Sequence, residues 1–162
     1  MKIYILLSLL LLSLLSCKND REKEFMTQTK PIIVGDTCWS DTISKQIYNA
    51  SNKGDILAYK KVFYYCWRKS RTDEILPISM IMANKYKFNE AYFHVYLSLS
   101  GHYRTDSAGI NGMDNTSKYL ALYYLLKAKE KGYDEATYEA EEIFKDKKIQ
   151  SANSYLLKLA EE

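Results

Sequence analysis

Ala83-Asn84-Lys85-Tyr86-Lys87-Phe88-Asn89-Glu90-Ala91 and Ala128-Lys129-Glu130-Lys131-Gly132-Tyr133-Asp134-Glu135-Ala136 share one plan: an alanine, a polar turn, an aromatic, an acid, and a second alanine eight positions after the first. Residues 50–58 hold the same alanine pair around Lys53-Gly54-Asp55. In each copy the first alanine closes one helical stripe and the second lies one turn into the next. Small residues at those two points let consecutive helices approach closely across a tight turn. The copies are 33 and 45 residues apart, and the longer interval contains an irregular stretch, residues 101–113. A repeat on this scale marks helix pairs that bury their apolar faces only against neighbours.

Working outward from the junctions, helical spacing covers nearly everything after Trp39. Ile43, Ile47 and Ala50 recur at i, i+4 and i+7 over a helix expected at 41–52, opening after Asp41. Ile56, Tyr59, Phe63 and Cys66 form the next stripe. Thr72-Asp73-Glu74 opens a third, carrying Ile75, Ile78 and Met82, with Pro77 early enough to be tolerated. Asn89 is expected to cap a helix whose stripe is Ala91, Tyr92, Val95, Tyr96 and Leu99. Asp114-Asn115-Thr116 starts a helix running to Lys131, which Gly132 stops. Asp134 is expected to cap the next, with Ala136, Ala140, Ile143 and Phe144 on one face. A last helix presents Ala152, Tyr155, Leu156 and Leu159. The expectation is an all-α chain: a short α-α superhelix, or solenoid, of about three helix hairpins.

These residues resemble a known family. Ala121, Tyr124, Ala128, Gly132, Ala136, Tyr138 and Phe144 follow the pattern of the Sel1-like variant of the tetratricopeptide repeat, and Lys53-Gly54 with Ala58 matches its junction. The second copy departs from the pattern at Lys87, where the family has glycine. Gly109-Ile110 stands near where the family has a short Gly-Val turn. The resemblance covers about residues 41–146 and is best in the last copy. It implies a right-handed superhelix of helix hairpins used for protein binding, and no active site.

The N-terminus gives a second resemblance. Lys2 precedes an apolar run, residues 3–15, that is short for a membrane span of roughly 20 residues. Leu14-Leu15-Ser16-Cys17 then gives way to Lys18-Asn19-Asp20-Arg21-Glu22. The pattern resembles a bacterial lipoprotein signal, which implies removal of residues 1–16 and lipidation of Cys17 in the envelope of a Gram-negative cell. Lys18 stands where inner-membrane lipoproteins carry a retaining aspartate, which by resemblance favours the outer membrane, facing either the periplasm or the cell surface. Residues 17–37 read as the lipidated cysteine and a flexible tether, being dominated by polar residues around the short apolar patch Ile32-Ile33-Val34. Residues 38–162 then form one helical repeat domain.

Composition narrows the function classes. Without residues 1–16 the chain keeps 22 basic and 20 acidic residues, which is no electrostatic footprint for nucleic acid. Cys38 and Cys66 remain; in an exported chain they either pair or stay as two free thiols. His94 and His102 are too far apart for a metal pair, and His94 is expected at a surface or half-buried position. Glu141 and Glu142 point about 100° apart on a helix and read as a solvated face. No nucleophile elbow, phosphate loop or metalloprotease motif occurs, so neither enzyme activity, cofactor nor metal is expected.

Fifteen tyrosines are the compositional anomaly. Some must fill the space between repeats. The rest would be exposed, and exposed Tyr and Trp make rigid amphipathic contacts. A ridge including Tyr64, Trp67 and Tyr124 is the expected partner surface. Two functions remain open: a scaffold or accessory lipoprotein that binds an envelope protein, or an immunity protein that neutralises an interbacterial toxin.

Overall fold

The computed structural model describes residues 39–101, 109–145 and 147–162. The chain divides into two units, Met1–Thr37 and Cys38–Glu162, and every described residue belongs to the second. Among those residues the structure is all helical, with seven α-helices, two 3-10 turns and no strand. The helices are α1 (Asp41–Lys53), α2 (Ile56–Arg68), α3 (Leu76–Asn84), α4 (Asn89–Ser100), α5 (Asn115–Glu130), α6 (Asp134–Phe144) and α7 (Ala152–Glu161). A 3-10 turn, Thr72–Ile75, leads into α3, and Pro77 sits in the first turn of that helix, where its missing N–H has no partner to lose. Gly109–Gly112 forms the second 3-10 turn; the remainder of the expected loop at 102–108 lies outside the described residues.

The three junctions share one left-handed backbone step. Four residues after each first alanine stands a residue with positive φ: Gly54 at 69°, Lys87 at 58° and Gly132 at 77°. That left-handed step reverses the chain and turns the next N–H groups back onto the orphan carbonyls of the helix end. Asp55 N–H reaches the Asn49 carbonyl at 3.3 Å, Phe88 N–H the Met82 carbonyl at 3.0 Å, and Tyr133 N–H the Ala128 carbonyl at 3.1 Å. All six junction alanines, Ala50, Ala58, Ala83, Ala91, Ala128 and Ala136, are buried to within 1% of full exclusion. Lys87, the departure from the repeat pattern, therefore adopts the glycine conformation without the glycine.

Helix starts are set by two different devices. Asp55 accepts from Ala58 N–H at 3.0 Å, and Asp114 from Ser117 N–H at 2.9 Å; the latter bonds hold the Asp114 carboxyl below its usual range. Ala152 N–H donates to Glu130 Oε1 at 2.8 Å, so the end of α5 caps α7. Asn89 and Asp134 are not caps, contrary to the sequence expectation. Each is the first residue of its helix, behind Phe88 and Tyr133, which offer no capping side chain. Asn89 instead donates its side-chain amide to the Lys131 carbonyl at 3.0 Å, tying the second junction to the third.

Consecutive helices pack as the pairs α1·α2, α3·α4 and α5·α6. Beyond its own pair α1 also meets α3, while α5 is enclosed by α4, α6 and α7. Polar side chains stitch the pairs together: Asn84 Nδ2 donates to Tyr124 Oη at 2.7 Å, and Tyr96 Oη–H donates to Glu139 at 2.6 Å.

The junction geometry predicts three stability changes measurable by urea denaturation. Lys87→Gly relieves a left-handed side chain and should stabilise by about 1 kcal/mol. Gly132→Ala meets no neighbour and should cost about 1 kcal/mol from backbone strain alone. Gly54→Ala should cost clearly more, because its Cβ would also sit 2.6 Å from Tyr86 Cε1.

Candidate functional site

The titratable group at the centre of the described domain is His94. It is 4% exposed, which corrects the expectation of a surface or half-buried position. Its ring stacks on Phe63 with centroids 3.4 Å apart, and its Nδ1 lies 2.8 Å from Tyr59 Oη. Tyr59 Oη is also 2.8 Å from Ser79 Oγ, so one buried node joins α2, α3 and α4. His94 Nε2 faces Glu90 Oε1 at 3.7 Å, and Glu90 is in turn held by Lys60 at 2.7 Å. Placing the ring proton on Nε2 leaves Nδ1 to accept from Tyr59, and Ser79 to donate to the phenol oxygen. Both buried bonds of the node are then made, and Nε2–H is directed toward the Glu90 carboxylate from beyond hydrogen-bond distance. Burial first, and the Lys60 charge second, push the His94 pKa down to about 3, so the ring is neutral at physiological pH. The Tyr59 phenol is pushed well above its ordinary value by the same burial.

Of the expected ridge, the structure exposes two members and withdraws the third. Tyr64 is 46% and Trp67 45% exposed, and their rings meet edge to face at 6.3 Å. Tyr124 is buried at 3% exposure, bonded to Asn84 and packed at 5.1 Å on Tyr123. It is a core residue and cannot belong to a partner-binding ridge. Tyr123-Tyr124 are neighbours on a helix whose sides meet three others, so little of that helix reaches solvent.

Tyr64 belongs instead to a groove on α1 and α2 that sequence reasoning did not assemble. Along α2, Tyr59, Val62, Phe63 and Cys66 turn inward, whereas Leu57, Lys61, Tyr64 and Arg68 recur at i, i+4, i+7 and i+11 on the outward side. With Ile43 of α1, Tyr65, Lys60 and Lys69 they line an open groove of about 620 Å³. Leu57 is 72% exposed. The groove floor is aliphatic and aromatic, its rim is cationic, and no carboxylate lines it. Lys60 already pairs with Glu90, but among the described residues no carboxylate pairs with Lys61, Arg68 or Lys69. One end is buttressed by Trp39, whose ring packs on Tyr65 at 5.9 Å and lies under the Arg71 guanidinium at 5.0 Å. An apolar floor within a cationic rim can bury apolar side chains and pair with carboxylates beside them. The signal available in the sequence was the i, i+4, i+7 run of Leu57, Lys61 and Tyr64, which is an apolar stripe interrupted by cations.

The remaining sequence candidates divide by position. Cys66 is a fully buried free thiol, and burial pushes its pKa up to about 12, which keeps it protonated and unreactive. Cys17, Cys38 and His102 lie outside the described residues. Glu141 and Glu142 are exposed on α6. Among the described residues no three of His, Cys, Asp and Glu come together as a metal cluster, and no helix is long and apolar enough to cross a membrane. No protein-family model, curated protein or solved structure matches the chain.

Two measurements check these assignments. As the pH falls, the unfolded chain takes up a proton on its histidine first, because that pKa is 6.5 against about 3 in the fold. The stability contributed by neutral His94 is complete above that ordinary value and is lost as pH falls through the interval below it. Urea midpoints should therefore drop between about pH 7.5 and about pH 5, and drop less in His94→Gln. Iodoacetamide mapping of the unreduced full chain should label Cys66 only after denaturation; a peptide linked to Cys38 would refute the free thiol.

Proposed function

We propose that this chain is a lipid-anchored envelope lipoprotein that binds another protein through the α1–α2 groove and catalyses no reaction. The observation that carries the reading is the groove itself: an exposed apolar floor holding Leu57 and Tyr64 inside a cationic rim in which Lys61, Arg68 and Lys69 are unpaired among the described residues. Isolated apolar side chains at a surface mean little, but a contiguous apolar depression with an exposed aromatic at its centre is the form of a protein-docking site. The cationic rim specifies the ligand as a segment that mixes apolar and acidic side chains, since charge pairs around a desolvated centre fix partner and register.

The left-handed step common to the three junctions supports the further reading that the hairpins stack as a short superhelix of the Sel1-like, tetratricopeptide type. Among the described residues α1·α2 is the first hairpin of such an array. The lipoprotein signal ending at Cys17 and the polar residues after it support anchorage at the outer membrane, with the domain facing the periplasm or the cell surface. A scaffold or accessory role fits this arrangement. Against catalysis stands the placement of His94, Tyr59 and Ser79, which are sealed from solvent and tied together by hydrogen bonds.

Affinity capture from envelope and secreted fractions with the full chain in detergent tests the reading. The wild type should retain a defined partner that Leu57→Asp with Tyr64→Ala loses, at little cost in stability because both sites are exposed. Tyr124→Ala should instead cost about 3 kcal/mol in folding. A single secreted toxin recovered at unit stoichiometry would replace the scaffold role with immunity. Equal capture by the groove variant would overturn the docking site.

A further inference from the structure

The outward face of α2 has a counterpart of opposite sign elsewhere on the same chain. On α2, Lys60-Lys61 and Arg68-Lys69 flank Tyr64. On α6, Asp134-Glu135 and Glu141-Glu142 flank Tyr138, which is 68% exposed. Relative to its tyrosine, α2 and the Lys69 that ends it carry cations at i−4, i−3, i+4 and i+5, of which Lys60 at i−4 also pairs with Glu90, and α6 carries acids at i−4, i−3, i+3 and i+4. With a rise of about 1.5 Å per residue, the charged pairs are about 12 Å apart on α2 and about 10 Å apart on α6. Each helix is the second of its contacting pair. All four acids are exposed, and among the described residues no cation pairs with Glu141 or Glu142.

We propose that the occupant of the groove is a second copy of this chain, with α6 of one protomer lying along α2 of its partner. The proposal rests on the docking reading above and names its ligand. Tyr138 of one protomer meets Leu57 and Tyr64 on the floor, while Glu141 and Glu142 face one cationic pair and Asp134 and Glu135 the other. Because the charges are near-symmetric about each tyrosine, the contact pairs in either helix direction. Each protomer carries one face of each kind. The contact therefore either closes reciprocally into a two-fold dimer or continues from copy to copy as a chain.

The test mixes isotopically heavy and light full chains in detergent and treats them with a zero-length carbodiimide cross-linker, which joins a lysine amine to a carboxylate in contact. Heavy–light cross-links between Lys60, Lys61 or Lys69 and an acid of α6 are expected. Sedimentation across the micromolar range should show self-association that weakens about tenfold or more in Lys61→Glu with Arg68→Glu, and equally in Glu141→Lys with Glu142→Lys. Mixing the two reversed variants should restore association between them, a recovery that a merely misfolded variant cannot give. A monomer throughout, or self-association unchanged by reversal on α6, overturns the second-copy occupant. The docking reading is judged separately, because loss of a foreign partner in the groove variant would sustain it even then.

Discussion

Two helices joined by a few residues must touch within a turn of the joint, and that single constraint organises the described domain. It requires a backbone step with positive φ and a side chain no larger than methyl on either side of it. The chain satisfies it three times, at Gly54, Lys87 and Gly132, each bracketed by two buried alanines. Lys87 shows which part is obligatory. The left-handed step is kept where glycine is absent, because the carbonyls left open at the end of α3 need the N–H groups that only this turn returns to them. Glycine lowers the cost of the step and does not create it.

The polar node divides the labour of the aromatic residues. Tyr59, His94 and Ser79 hold three helices at one point through two buried bonds, in a setting whose burial keeps the ring neutral. Such a node fixes the relative placement of helices more tightly than apolar packing alone, because a small slide breaks two bonds in a place water cannot reach. The outward aromatics do none of this. Tyr64 and Trp67 meet each other edge to face and are about half exposed, Tyr64 resting on Phe63 beneath it, so changing them should alter recognition more than the core.

Legibility in the sequence followed the range of the interactions. The helices and their junctions were readable because alanine, glycine and stripe spacing are local signals. Of the stacking between pairs, only the all-helical class is on the same footing. His94 was misplaced because its partners Tyr59 and Ser79 lie far off along the chain, 35 residues away in the case of Tyr59. Tyr124 was misplaced for another reason. A helix enclosed by α4, α6 and α7 loses the one-sided periodicity that tells inside from outside, so neither of the adjacent tyrosines betrays its direction. Asn89 read as a cap because its type favours that place, whereas its bond to the Lys131 carbonyl depends on a junction 42 residues later. The groove escaped notice since it takes Ile43 from one helix and seven side chains from the other and from the residue that ends it.

The central claim is that the outward side of α2 is where this chain meets a protein. A photo-cross-linking residue placed at position 57, inside the groove, and separately at position 48, exposed on α1 beyond its rim, tests that claim in the living cell. The account predicts one discrete adduct from position 57 and none of comparable yield from position 48. No adduct from 57, or the same adducts from both positions, would contradict it.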